Sequence, residues 1–346
     1  MKKHLLTSIT ICLTLAACAT PAPTAVPPTS VPPTVTAAPP TNPLIPPLSP
    51  TATSVPPSPA SNLLVSDLTP KQGKGAAPQG ATGSGPWATR LMLAASKDGL
   101  TFTRTNVVIS DQAGVPNALV DKEGRARLYY IDFGNNNIIA TAIQKSATEW
   151  VLRKVIVNGL PKGSDAVDPT VVLLSDGKYR LYYMQGEIGK KPTIYSAISN
   201  DGITFTKEEG ERYNPSDVYD PIVLQTKDGW LLWTGADGKH SAKSKDGLKF
   251  EATGEFKIDG KIFMTWATVA IPDKGYRVYG NLMGPGSTPG IASAFSVDGV
   301  KWTLEPGTRL PLQGADPKLE KFSTPDHGLA LLKDGTYLMA YLAGIP

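Results

Sequence analysis

A unit of about fifty residues repeats along this chain, and this repeat restricts the possible folds more than any other feature. Each copy reads Asp-Pro, a short apolar strand, an Asp-Gly turn, an aromatic strand, and then Ser-x-Asp-Gly-x-x-Phe. One copy runs from Asp168 to Phe205, and a second runs from Asp220 to Phe250. Repeats of this length, each made of four short strands, predict the blades of a β-propeller.

The opening strand of the repeat occurs five times. The copies are marked by Asn117, Asp168, Asp220, Trp266 and Asp326, so the successive spacings are 51, 52, 46 and 60 residues. The last copy contains only two strands, whereas residues 88–110 read as a third strand, a turn and a fourth strand that precede blade one. We therefore predict an all-β fold, a five-bladed β-propeller over residues 88–346 whose last blade is completed by the N-terminal strands.

The first residues have the pattern of a secretory signal. Lys2 and Lys3 precede an apolar run over residues 5–15, and Leu-Ala-Ala precedes Cys18. Residues 1–17 resemble a bacterial lipoprotein signal, which implies that Cys18 is lipidated and anchors the chain to the extracytoplasmic side of the cell membrane. An ordinary signal peptide with a chance cysteine remains the alternative.

The segment after the signal lacks the composition of a packed domain. Residues 18–60 contain 15 of the 32 prolines, which predicts an extended, semi-rigid tether, and residues 61–87 read as an irregular lead-in. The formal net charge of +4 includes the two signal lysines, so the mature chain is near +2. Such a small charge argues against a nucleic-acid surface, and we expect a monomer.

Four turns share the pattern Ser-x-Asp-Gly followed by an aromatic residue. An aspartate there accepts hydrogen bonds from backbone N–H groups just ahead of it, and the glycine adopts positive φ without strain. The turns contain Asp98, Asp201, Asp246 and Asp298. They resemble the Asp boxes of sialidases, which implies a structural role, with calcium binding as the alternative. No arginine stands at a strand opening, where a sialidase site would need three.

Polar and aromatic residues collect where the first strands of the blades begin. In a propeller these strands line the central channel, so their N-terminal ends face one funnel. The candidate funnel residues are Asn117, Asp165, Asp168, Asp217, Tyr219, Asp220, Trp266, Asp326 and His327. Converging carboxylates suit glycoside hydrolysis, in which one group stays ionised and another donates a proton. Trp266 and Tyr219 are candidates to stack on a sugar ring.

The run from Asp168 through the Asp-Gly turn to Tyr183 resembles the five-bladed glycosidases of the arabinanase, xylosidase and invertase group. The resemblance covers residues 88–346 at the level of the blade pattern. It implies an Asp base on blade one, a pKa-modulating Asp on blade two and a Glu acid on blade three. It also implies, in some arabinanases, a blade-five His beside a central metal ion. Asp168 and His327 match this pattern, whereas Asn117 and Asp220 depart from it.

Three functions remain open at this point. The first is a membrane-tethered glycoside hydrolase with Asp168, Asp220 and Asp326 as its catalytic carboxylates. The second is a propeller that binds carbohydrate in the same funnel without cleaving it. The third is a scaffold that binds another envelope protein. A central calcium or other metal ion, with His327 as a ligand, is a further expectation. Glu187 is a further candidate for the catalytic acid.

Overall fold

The computed structural model describes residues 63–77, 79, 85–185, 191–216, 218–235, 238–284, 290–313 and 316–346. The chain divides into residues 1–55 and 56–346, and every described residue belongs to the second unit. The predicted signal peptide and the whole tether, including Cys18, lie outside the described residues. The described part is built of β-strands with short 3-10 helices, among them Pro86–Ala88 and Phe133–Asn135. No helix described there is long and apolar enough to cross a bilayer.

After β1 (Thr89–Ser96) and β2 (Thr103–Asp111), the chain forms four blades in turn. Blade one contains β3 (Ala113–Val120), β4 (Ala126–Asp132), β5 (Ile138–Gln144) and β6 (Trp150–Lys154). Blade two contains β8 (Val167–Leu173), β9 (Tyr179–Gln185), β10 (Thr193–Ser199) and β11 (Thr204–Lys207), with β7 (Ile156–Asn158) parallel to β11 at its outer edge. Blade three contains β12 (Pro221–Thr226), β13 (Gly229–Thr234), β14 (Ser241–Ser244) and β15 (Glu251–Gly254). Blade four contains β16 (Lys257–Ile258), β17 (Lys261–Ile271), β18 (Gly275–Leu282), β19 (Ala292–Ser296) and β20 (Thr303–Glu305).

Blade five joins strands from the two ends of this unit. Its inner strands are β21 (Ser323–Leu331) and β22 (Tyr337–Gly344), and the sheet continues through β1 to β2. The antiparallel pairing of β1 with β22 extends from Thr89 opposite Gly344 to Ser96 opposite Tyr337. The predictions of five blades and of closure by the N-terminal strands are therefore confirmed.

Each junction between neighbouring blades has its own apolar cluster, and the five clusters complete the ring. The second strands are buried on both faces: every residue of β4 and of β22 is buried. A strand packed between two neighbouring sheets has no wet face, which explains the apolar runs of these strands.

The described part of the lead-in packs along the outer edge of blade one. The backbone N–H groups of Asp67 and Leu68 donate to the carbonyl of Leu152 at 3.1 and 3.3 Å. The Asp67 carboxylate also forms an ion pair with Arg153 at 2.8 Å. This segment has no regular strand, yet these contacts tie it to the propeller.

The four Asp-Gly turns have one geometry. In the first, Ser96 Oγ donates to Asp98 Oδ1 at 2.8 Å, and the same carboxylate oxygen accepts from the N–H groups of Leu100 and Thr101. The N–H groups of Thr101 and Leu100 hold the pKa of Asp98 at about 2. The same bonds recur at Asp201, Asp246 and Asp298. In all four turns the carboxylate accepts its hydrogen bonds from residues of its own turn.

Candidate functional site

Three aspartates converge at the mouth of the central channel. Asp168, Asp220 and Asp326 stand at the openings of the inner strands of blades two, three and five, and each is partly buried. Their charges act on one another, because Asp168 and Asp326 both raise the pKa of Asp220, and Asp168 raises that of Asp326. The structure therefore brings together the three carboxylates that the sequence singled out, on three different blades.

The backbone at three strand openings has the same unusual conformation. Asp168 and Asp220 have φ of 55° and 50°, in the left-handed region, and each is followed by proline. Val115 on blade one has φ of 49° and also precedes a proline. A β-branched residue in this region is strained, and such strain concentrates at functional sites. The repeated conformation makes Val115 the blade-one equivalent of Asp168.

Neighbouring blades supply a backbone N–H group to two of these carboxylates. The N–H of Val115 donates to Asp326 Oδ2 at 3.3 Å, across the junction of blades five and one. The N–H of Asp220 in the same way lowers the pKa of Asp168 across the junction of blades two and three. One donor per carboxylate offsets only part of the cost of burial.

Burial and mutual repulsion keep protons on this cluster. Burial raises the pKa of Asp326 to about 7, with a smaller contribution from the charge of Asp168. Burial raises the pKa of Asp168 to about 6. Burial and then the charges of Asp168 and Asp326 raise the pKa of Asp220 well above its ordinary value. Near neutral pH the cluster thus contains both a carboxylic acid and a carboxylate, the pair that acid–base chemistry requires.

This electrostatic arrangement predicts a stability that decreases as the pH rises. Because the pKa values of Asp168 and Asp326 are about 6 and 7 in the folded protein and near 3.8 unperturbed, the folded state binds more protons than the unfolded chain between these values. Their stabilising contribution is complete below about pH 4 and is lost as the pH passes 6 and 7. We expect the thermal unfolding midpoint of the wild type to fall between pH 5 and pH 8 relative to that of an Asp168→Asn, Asp326→Asn variant. Circular dichroism melts would measure the two midpoints. Midpoints that change with pH in parallel in the two proteins would contradict the prediction.

An aromatic surface lies beside the cluster. The indole of Trp266 is partly exposed, and its Nε1 donates to Asn281 Oδ1 at 2.9 Å, which fixes the ring. A Cβ built at Gly235 would lie 2.9 Å from the Trp266 ring and 3.1 Å from Cβ of Asp220. Gly235 therefore has no room for a side chain, and the ring and the carboxylate lie close to each other across it. Tyr219, the residue before Asp220, is also partly exposed.

Asn117 does not occupy the position that the sequence spacing predicted. It pairs with Tyr129 across blade one, just as Thr170 pairs with Tyr182 across blade two. The two tyrosines are equivalent, since each hydroxyl donates to the carbonyl of the turn glycine in the next blade. Asn117 is thus the counterpart of Thr170, and the position of the expected blade-one Asp is taken by Val115.

Asn117 lies deeper in the channel and has a partner in the protein. Its Oδ1 accepts from the N–H of Val171 on blade two at 3.0 Å. It borders a channel cavity of about 310 Å³ that is lined by the inner strands of all five blades, and none of the three aspartates lines it. Asn117 therefore links two blades and does not join the carboxylate cluster.

The other predicted residues are dispersed. The side chain of His327 is fully buried, and its ring packs edge-on against Tyr279, with centroids 6.4 Å apart. Asp165 is exposed beside a cavity of about 140 Å³ between blades one and two. Asp217 and Glu187 lie outside the described residues. Within the described ranges, no three His, Cys, Asp or Glu side chains are placed to hold one metal ion, so the described residues do not fit the central metal that the resemblance implied.

The fold is similar to that of the five-bladed propellers of family-43 glycoside hydrolases. A family-43 enzyme of Bacillus licheniformis, BlXynB, superimposes with a TM-score of 0.51 at 13% identity, over 68% of this chain and 49% of that one. An N-acetylgalactosamine deacetylase from F. plautii, solved with blood group B trisaccharide, gives a TM-score of 0.48 at 15% identity, over 69% of this chain and 81% of that one. A family-43 enzyme of Xanthomonas citri gives a TM-score of 0.47 at 12% identity, over 67% of this chain and 87% of that one. At these identities the likeness concerns the fold alone.

No family model matches this sequence, and no curated protein matches it.

Proposed function

We propose that this protein is a glycan-acting propeller that hydrolyses glycosidic bonds through the carboxylates of Asp168, Asp220 and Asp326. The observation that carries the proposal is the convergence of these three groups, with raised pKa values, beside the partly exposed ring of Trp266. A partly exposed aromatic ring offers a flat apolar surface, which suits the face of a sugar. The proposal rests on the site, because a shared fold does not determine activity.

The pKa order assigns a role to each carboxylate. Asp326, with a pKa of about 7, is partly protonated at neutral pH and donates its proton to the glycosidic oxygen as the C–O bond breaks. Asp168, with a pKa of about 6, ionises before Asp326 and accepts a proton from the water that bonds to the anomeric carbon. Asp220 is the third carboxyl of the cluster, and burial and the charges of Asp168 and Asp326 raise its pKa.

A panel of aryl glycosides and polysaccharides tests this proposal directly. Residues 61–346 would be compared with an Asp168→Asn, Asp220→Asn variant, with release of aryl alcohol or reducing sugar as the readout. Hydrolysis that disappears in the variant supports the proposal. Hydrolysis that is unchanged in the variant contradicts it.

A second function, carbohydrate binding without cleavage, is favoured by one observation. Val115 supplies an apolar side chain where the resemblance implies a catalytic base on blade one. Binding would still use Trp266 and the carboxylates. Glycan affinity that is measurable by calorimetry and weakened by Trp266→Ala, with no hydrolysis of any panel member, would favour this second function.

We also propose that lipidated Cys18 and the Pro-rich tether hold the propeller on the extracytoplasmic face of the bacterial membrane. The support is the signal pattern before Cys18 and the composition of residues 18–60. We expect full-length protein made in a bacterial host to fractionate with membranes and Cys18→Ala to leave them, as measured by detergent partitioning. Equal partitioning of the two proteins would contradict the anchor.

A further inference from the structure

At three junctions between blades, an arginine and a tyrosine of one blade bond to the next blade in the same way. The proposed glycan hydrolysis does not use these contacts, which we call a clamp. At the junction of blades one and two, Arg127 Nη1 donates to the carbonyl of Asp201 at 2.7 Å, and Nη2 donates to that of Gly202 at 3.0 Å. The hydroxyl of Tyr129 donates to the same Gly202 carbonyl at 2.8 Å. An Arg-x-Tyr pair on the second strand of one blade thus holds the Asp-Gly turn of the next.

The same clamp occurs at two further junctions. Between blades two and three, Arg180 and Tyr182 donate to the carbonyls of Asp246 and Gly247 at 3.3 and 2.9 Å. Between blades four and five, the residues are Arg277 and Tyr279, which donate to the carbonyls of Asp98 and Gly99 at 3.0 Å each. A glutamate in the clamp's own blade neutralises each of these arginines, Glu208 for Arg180 and Glu305 for Arg277.

Blade three lacks all the parts of this clamp. Leu231 pairs with Lys243 on the third strand, as Arg180 pairs with Ile198, so Leu231 stands at the arginine position. Trp233 stands at the tyrosine position. Thr253 follows its turn aspartate, Asp246, by seven residues, as Glu208 follows Asp201, and it replaces the glutamate. The guanidinium and its counter-ion are thus absent together.

A cavity of about 610 Å³ lies at this junction, where the clamp is missing. It extends between the turns of blades three and four and is lined in part by Leu231, Asp298, Gly299 and Val300. In the described part of the chain, the Gly299 carbonyl accepts a hydrogen bond from Trp302 Nε1, from the same blade, at 3.2 Å. Leu231 and the 77% exposed Val300 give the cavity apolar surface. We call this cavity the 3/4 socket.

The residues that line the 3/4 socket have an excess of one negative charge, although the Asp228 carboxylate is paired with Lys227. Four carboxylates line it, two of them the turn aspartates, together with three exposed lysines that can extend into solvent; the residues are Asp228, Asp246, Glu251, Asp298, Lys243, Lys245 and Lys249. An arginine combines an apolar stem with a planar head of several donors, which matches an apolar surface next to turn carbonyls.

We propose that the 3/4 socket binds an arginine side chain presented by another protein, which takes the place that Arg127, Arg180 and Arg277 occupy at three other junctions. Its guanidinium donates to the carbonyls of Asp298 and Gly299, and its stem packs on Leu231 and Val300. The partner is therefore a segment with an accessible arginine, and this docking is independent of the funnel chemistry.

The test uses a small probe and a variant that fills the 3/4 socket from within. Acetyl-Gly-Arg-Gly-amide and the same peptide with neutral citrulline would be titrated into residues 61–346, with backbone NMR shifts of Gly299 and Val300 as the readout. We expect saturable binding with a dissociation constant on the order of 1 mM for the arginine peptide, and at least about tenfold weaker binding of the citrulline peptide. Leu231→Arg combined with Thr253→Glu rebuilds the blade-two pair and is expected to abolish binding and raise the unfolding midpoint.

Two controls keep the result decisive. Leu231→Met leaves the 3/4 socket open and should bind the arginine peptide as the wild type does. Val300→Trp, at an exposed position, should block the mouth even if the double variant does not fold. No saturable shift, equal affinity for arginine and citrulline, or binding that persists in Val300→Trp would overturn the proposal.

Discussion

Replacing Asp326 with asparagine is expected to lower kcat on a cleavable glycan by about 10²- to 10⁴-fold, the usual contribution of a general acid. The reason is that Asp326 has a pKa of about 7 and is the cluster's proton donor at neutral pH. The amide retains the shape of the carboxylic acid but cannot donate a labile proton to the leaving oxygen. Initial rates at saturating substrate would measure the effect.

Two comparisons separate chemistry from structural damage. Asp228→Asn removes a carboxylate whose side chain is 68% exposed, and it should leave kcat unchanged. Asp326→Asn should also raise the unfolding midpoint at pH 8, because it removes a buried charge that repels Asp220. A loss of less than about tenfold in kcat would contradict the acid role of Asp326.

Removal of residues 1–111 is expected to abolish cooperative folding, the largest effect on stability that the fold predicts. These residues include β1 and β2, the outer half of blade five, and β1 pairs with β22 along its whole length. Without them the fully buried β22 would present an unpaired, apolar edge to water. Thermal melts and urea titrations of residues 112–346 should show no two-state transition.

A single substitution on β1 tests whether the packing of this strand provides the stability. Leu91 on β1 is fully buried in the cluster between blades five and one, so Leu91→Ala should cost about 3–5 kcal/mol of unfolding free energy. The chain of residues 63–346 retains both strands and the lead-in and is the control for length. A cooperative transition in residues 112–346 with a midpoint near that of the control would contradict the structural role of the closure.

The architecture was predictable because the sequence of the strands and turns repeats along the chain. Repeated strands and turns predict the blades, and the incomplete last copy together with residues 88–110 predicts the closure. These features depend on the alternation of apolar strands and on turn chemistry, which are local in sequence. The three aspartates could be found in the same way, because each stands at the opening of an inner strand.

The errors at the site arise from backbone geometry. Asn117 resembles an aspartate in the printed sequence, but the shared conformation at Val115 and Asp168 shifts the equivalence by two residues. The Val-Pro dipeptide at 115–116, aligned with the two Asp-Pro dipeptides, was the available signal. His327 directly follows Asp326 on one strand, and adjacent side chains point to opposite faces, so both cannot face the funnel.

The Arg-x-Tyr clamps were present in the sequence but could not be interpreted there. Arg180 and Tyr182 stand in a strand whose sequence indicates burial, where a guanidinium is unexpected. Their partners are backbone carbonyls about 65 residues away, in the next blade. Only the ring arrangement of the blades brings the two together, and it also exposes the place where blade three lacks the clamp.

The most direct test of the account is a titration of the aspartate side-chain carboxyl carbons of residues 61–346 by carbon-13 NMR. Single Asp168→Asn, Asp220→Asn and Asp326→Asn variants would assign the three resonances. The account predicts midpoints of about 6 and about 7 for Asp168 and Asp326, a midpoint for Asp220 well above the ordinary aspartate value near 3.9, and midpoints that shift in the other two when one is replaced. Three independent midpoints below about pH 4.5 would show that the channel mouth holds ordinary carboxylates and would contradict the proposed acid–base cluster.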